Sequence, residues 1–327
     1  EAARQNGDDN VLHEALLKHA NALLTTEKFG EAATILDEAV ELHAQSKRTV
    51  DQAHCLHLSA TAYRFSGQLR VAEERIRKAV ELAPPNTPVS VSSWTEYGET
   101  AQALGKPLDA SVYYHNALED GRKAGLLPKA QLTLMRRLAQ AQALGHSNEL
   151  AALTLREAVS LSKTISDQHL TIRIQIEEAT AWLESKMPEQ AVQSLEESEE
   201  LAILLKDNVA RADLEMLRST LAVQDGDLKR AYIHAKKARH FSLEAVHPMT
   251  YTTSSIAMSD IANLQNERVT AYEVLAVGWV TLGDLLGKDI AQATFAPRLR
   301  VLIEKWGKEE FVRVKTQYEE RRRRSMG

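Results

Sequence analysis

Seven small residues recur along this chain at an almost constant step: Ala32, Ala72, Ala110, Ala151, Ala191, Ala231 and Ala271. The intervals are 40, 38, 41, 40, 40 and 40 residues. A period of that length means a chain that stacks one supersecondary unit, each copy packing on its neighbours. Two companion columns run beside the first. Seven residues downstream stand Ala39, Ala79, Ala117, Ala158, Ser198, Ala238 and Gly278, and twelve upstream stand Ala20, Ala60, Gly98, Ala139, Ala179, Ser219 and Ser259. Helices packed at short interaxial distance need small residues where their backbones meet, so the columns predict where helix touches helix. Larger side chains fill a fourth column: Leu36, Ile76, Tyr114, Leu155, Leu195 and Leu275, with Ala235 as its exception.

Each unit reads as a helix A, a short turn and a helix B. Breaker residues mark the turns at Glu27–Gly30, Ser66–Gln68, Gly105–Pro107, Gly145–Asn148, Lys186–Pro188 and Asp225–Asp227. Pro107 and Pro188 suit a first helical position, where the missing N–H costs nothing. Units begin near Val11, Thr49, Val89, Lys129, His169, Val209 and Met249, and Ala83-Pro84-Pro85-Asn86 closes the second sharply. The seventh is atypical. Its helix A opens on Thr250–Ser255, a poor start by propensity, and its helix B, Val269 to about Leu286, is unusually apolar. Helical patterns follow near Ile290–Lys305 and Glu309–Arg324, the first predicted to cover the last open apolar face. The expected organisation is a frayed or disordered segment over 1–10, a seven-unit all-α array over 11–287, and a helical cap with a basic tail over 288–327.

Composition narrows function. Aromatics are 5% and hydrophobic residues 44%, with few glycines and prolines, which suits packed helices and not a β fold. The net charge of −5 argues against a nucleic-acid coat or a polybasic membrane binder. Cys55 is the sole cysteine, so no internal disulfide forms and a reducing, cytoplasmic setting is expected. There is no run of 18 apolar residues and no signal-peptide pattern, so no membrane partner is expected. The chain opens on Glu1, which leaves room for a preceding domain.

The columns resemble those of the tetratricopeptide repeat (TPR) superfamily. The second unit carries the likeness best, in Leu56, Ala60, Tyr63, Gly67, Ala72, Ala79 and Pro84, and the third follows with Trp94, Tyr97, Gly98, Gly105, Ala110, Tyr114 and Ala117. The likeness covers roughly residues 11–287 and implies a right-handed helical solenoid. Its period departs from the usual length of about 34 residues, so each helix is expected to be longer by most of a turn. Such long units are similar to those of kinesin light chains and of bacterial regulator TPR domains.

The resemblance implies that helix A lines a ligand groove. Residues read inward at helical spacing include Asn21, His57, Arg64, Glu99, Gln102, Arg136, Arg137, Gln140, Arg173, Glu177 and Asn263. Amides among them can pair with peptide N–H and C=O groups, and the arginines can grip a carboxylate. The family's chaperone-tail clamp needs Lys and Asn one turn apart. Asn21 is present but Leu17 stands where the Lys belongs, so that partner is not implied.

Other constellations carry less. His54-Cys55-Leu56-His57 places two histidines one turn apart without an evident third ligand, so no metal and no cofactor are expected. No phosphate loop, nucleophile elbow or His-Glu-x-x-His occurs, so no enzyme is expected. Arg321, Arg322, Arg323 and Arg324 end the last helix, where cations suit the helix dipole. The leading expectation is a protein- or peptide-binding scaffold or adaptor. A ligand-sensing domain of a bacterial regulator is the alternative, and nucleic-acid contact through the four arginines a third. The apolar helix 269–286 with its cap is a candidate homodimer surface.

Overall fold

In the computed structural model, residues 9–326 are described, and they form sixteen α-helices joined by short turns. The first eight are α1 (Asp9–Thr25), α2 (Phe29–Gln45), α3 (Thr49–Phe65), α4 (Leu69–Leu82), α5 (Pro88–Ala103), α6 (Pro107–Lys123), α7 (Pro128–Leu144) and α8 (Asn148–Ser162). A 3-10 turn at Lys163–Ile165 precedes α9 (Gln168–Glu184), α10 (Pro188–Leu204), α11 (Asn208–Gln224), α12 (Leu228–Glu244), α13 (Pro248–Leu264) and α14 (Arg268–Leu286). Two 19-residue helices, α15 (Lys288–Trp306) and α16 (Lys308–Met326), end the chain. Residues 1–8, most of the segment expected to be frayed, lie outside the described residues, and the helix already begins at Asp9.

The 40-residue step now has a physical content. A regular unit is two 17-residue helices, each followed by a three-residue turn. The two irregular steps come from local changes. The 38-residue step combines a 14-residue α4 that stops before Pro84-Pro85, the five-residue turn after it and a 16-residue α5, and the 41-residue step reflects the longer turn after α6. Each column alanine is the fourth residue of a helix B, where its N–H makes the first intrahelical bond, as from Ala32 to Lys28 O and from Ala231 to Asp227 O.

All 21 positions in the three small-residue columns are buried. In two units the contact is directly bonded: Ser219 Oγ donates to Ala231 O and Ser259 Oγ to Ala271 O, both at 2.8 Å. Turns close with a paired motif. Lys28 N–H reaches Leu23 O and Glu27 N–H reaches Leu24 O, with Glu27 in the left-handed region at φ 58. The same bonds recur at Gly67, Lys206 and Val246.

The chain divides into two compact units between Ile174 and Gln175, within α9. In the first, successive helices pack as antiparallel neighbours around clusters that include Leu16, Val40, Leu56 and Ile76, and Leu23, Leu36 and Ala62. In the second, one cluster gathers Ala231, Met258, Ile261 and Val274, and another gathers Leu275, Leu282, Phe295 and Leu302.

The atypical seventh pair is regular helix. α13 runs unbroken: Ser254 and Ser255 are buried and donate back to Tyr251 O of their own helix at 3.0 and 2.8 Å, so the hydroxyls are satisfied within the helix and its packing outweighs the poor propensity. α14 is long and apolar enough to cross a membrane, yet α13, α15 and α16 all pack against it. Phe295 of α15 seats against Gly278 of α14.

Candidate functional site

Three first helices of consecutive pairs, α3, α5 and α7, enclose an open cavity of about 680 Å³. Each contributes residues at helical spacing on one face. α3 supplies His57, Arg64 and Phe65, α5 supplies Val91, Ser92, Thr95, Glu96 and Glu99, and α7 supplies Ala130, Thr133, Leu134 and Arg137. Leu126 closes one side from the preceding turn.

Two arginine–carboxylate pairs set its electrostatics. Arg64 holds Glu96 through both nitrogens of a fork, Nε to Oε1 at 2.6 Å and Nη2 to Oε2 at 3.0 Å. Thr100 also donates to that carboxylate, whose side chain is only 6% exposed. Arg64 lies over the Phe65 ring at 4.4 Å as well. This pair is structural in character, because freeing either member would leave a buried charge. The second pair is different. Arg137 Nη1 meets Glu99 Oε1 at 2.6 Å, with side chains 40% and 26% exposed, so a competing carboxylate can reach the guanidinium. His57 is half-buried, and burial first, then the neighbouring His54 and Arg64, pushes its imidazole down to about 4. It therefore lines the cavity as a neutral ring, its Nδ1 buried without a hydrogen-bond partner among the described residues.

Of the residues read inward from the sequence, the cavity brings together His57, Arg64, Glu99 and Arg137. The others are placed elsewhere. Asn21 and Gln140 are exposed on α1 and α7, Arg173 is exposed and Glu177 half-buried on α9, and Arg136 is half-buried beside its cavity-lining neighbour. Gln102 accepts from the Tyr114 hydroxyl at 2.7 Å, and Asn263 accepts the Trp306 indole N–H at 2.7 Å. Both amides, expected to face a ligand, are held by the protein's own aromatics. The four arginines 321–324 are exposed on α16. Glu96 also falls on the face read inward, whereas the apolar wall of Val91, Leu126 and Leu134 was not singled out by the polar reading. Only the fold reveals that the cavity mixes polar residues with apolar ones on each helix A face.

A second cavity of about 350 Å³ lies among α10, α11 and α12. Its arginine is committed: Arg218 binds Glu199 through two nitrogens at 2.8 and 2.5 Å, while His234 Nδ1 sits 2.6 Å from Glu215 Oε2.

No protein-family model matches the chain, and no curated protein matches it. Solved structures do. A putative kinesin light chain of Podosopora anserina with nearly identical TPR-like repeats shares 20% identity, at a TM-score of 0.51 over 59% of this chain and 96% of that one. A signal transduction ATPase with numerous domains and a TPR sensor, from Pyrococcus horikoshii, shares 16% at a TM-score of 0.61, covering 88% of this chain and 46% of that one. The apo quorum sensor NprR of B. thuringiensis shares 13% at a TM-score of 0.54, over 91% and 83%. At such identities the likeness establishes the fold: an all-α helical solenoid of TPR-like pairs.

Proposed function

We propose that the chain is a non-catalytic protein- or peptide-binding scaffold and that the α3/α5/α7 cavity is its docking site. The observation that carries this reading is the half-open Arg137–Glu99 pair beside an apolar wall of Val91, Leu126 and Leu134. A peptide carboxylate can replace Glu99 on Arg137 as a charge-assisted partner, while a neighbouring apolar side chain fills the wall. The buried Arg64–Glu96 fork holds the floor rigid and lowers the cost of ordering the site.

Random peptides displayed against the whole chain test it. Selected peptides should place Asp, Glu or a C-terminal carboxylate next to an apolar residue. Arg137→Glu should weaken them by at least about tenfold, since a hydrogen bond to a charged group contributes about 1.5–3 kcal/mol. Peptides that bind Arg137→Glu as tightly as the parent would remove the cavity from consideration.

A second reading, a sensor domain, is favoured by the likeness to a TPR sensor over 88% of the chain. Small-angle scattering with and without a selected peptide separates the two. Compaction on binding supports a sensor, and an unchanged radius of gyration supports a scaffold.

A further inference from the structure

His13 on α1, His43 on α2 and Cys55 on α3 converge where the first repeat meets the second, although 42 positions separate the first residue from the last. One ligand atom from each lies within 4.8 Å of the other two. His43 and Cys55 are fully buried and His13 half-buried. The imidazoles meet edge to face, centroids 4.1 Å apart, with His43 Nε2 directed at His13 Nδ1. The second nitrogen of His43, Nδ1, is buried and has no hydrogen-bond partner among the described residues.

That arrangement is poorly satisfied as a purely structural core. A neutral imidazole carries one N–H and one lone pair. His43 Nε2 and His13 Nδ1 face each other, so one proton or one cation must lie between two lone pairs, and His43 Nδ1 has no partner among the described residues. Placing two imidazoles and a thiol together in an alanine-lined core needs a further reason.

We propose that His13, His43 and Cys55 form a binding site for a zinc-class divalent cation. Two imidazole nitrogens and one sulfur are the donor set such a cation prefers, and no carboxylate belongs to the trio to favour magnesium or calcium. Ligation at about 2.0–2.3 Å places the donors roughly 3.5 Å apart, so the imidazoles separate slightly and the sulfur draws in. On binding, the Cys55 S–H proton passes to solvent and the thiolate supplies one negative charge. Three protein ligands leave a fourth position for water, reached past the half-buried His13. The site would pin α1 to α2 and α3.

The test uses the full chain, stripped with a chelator and titrated with cobalt(II) alone. Cys55 is the only cysteine, so a thiolate-to-cobalt charge-transfer band in the near ultraviolet can arise only there. One equivalent should develop the band, zinc should bleach it, and zinc should raise the melting temperature. His13→Asn should keep helicity and weaken binding by more than about 100-fold, since even outer-shell losses cost about 10–100-fold. Cys55→Ala should abolish the band. No band in the parent chain overturns the proposal, and so does a cobalt affinity that His13→Asn leaves unchanged.

Discussion

At Gly98 a single missing carbon decides how two helices meet. A Cβ there would lie 2.5 Å from Tyr114 Cε1, and the Tyr114 ring is fully buried and held through its hydroxyl to Gln102. Two effects compete in Gly98→Ala. Helix propensity favours alanine by about 1 kcal/mol, while overpacking a closed core costs about 1–3 kcal/mol. The ring has nowhere to go, so we expect net destabilisation in urea titrations, partly recovered when Tyr114→Leu is added. A more stable Gly98→Ala protein would mean that the ring yields freely. Val246 poses the opposite case. It is β-branched, sits at φ 49 and is 66% exposed, so it bears left-handed strain without packing in return. Val246→Gly should stabilise by about 1 kcal/mol, the scale of the left-handed penalty, and raise the melting temperature.

At the scale of the element, α16 is held to α14 by few contacts. Glu310 accepts from Arg268 at 2.9 Å and from Arg313 of its own helix at 2.6 and 2.7 Å, and Tyr272 meets Phe311 and Tyr318 edge on. Hydrogen bonds from Arg313 and then Arg268 hold the Glu310 carboxyl down to about 2. A depressed folded value means the contribution is complete above the ordinary carboxylate range and is lost as pH falls through about 2. Hydrogen-exchange protection of α16, corrected for intrinsic rates, should therefore be constant above pH ~5 and fall below pH ~4.5. Arg268→Ala should flatten that dependence, and an unaltered profile would show that the ion pair does not anchor the helix. Element boundaries were legible wherever a breaker marks them, as at Gly67, Gly105 and Gly226. Lys47, Lys206 and Val246 adopt the same left-handed turn with no such mark. There the turn is imposed by the packing of the helices on either side, which periodicity registers only indirectly.

Over the whole molecule, repeat packing makes stability a sum of nearest-neighbour terms. A lesion at Gly98 should reduce hydrogen-exchange protection in α3 to α7 and leave α12 to α16 at parental values. Equal loss along the chain would mean the repeats unfold as one cooperative block. The candidate cavity was half legible on the same grounds. The TPR resemblance, read with helical spacing, implied that His57, Arg64, Glu99 and Arg137 face inward, and the cavity gathers them. It could not foresee that Gln102 and Asn263 would be claimed by Tyr114 and Trp306, because those partners lie 12 and 43 positions away.

The sequence by itself determined the period, the helix pairs and the buried columns. These rest on local rules: small residues where backbones touch, apolar faces at helical spacing, and prolines at first turns. Tertiary structure alone decided which polar side chains stay available and which are taken. It also turned attention from His54 and His57 to His13 and His43 as the companions of Cys55, since α1 and α2 deliver them from 42 and 12 positions upstream. The reason is physical. Helix packing obeys short-range periodicity that one chain segment displays, whereas a site is a convergence of side chains whose distances only the folded backbone sets.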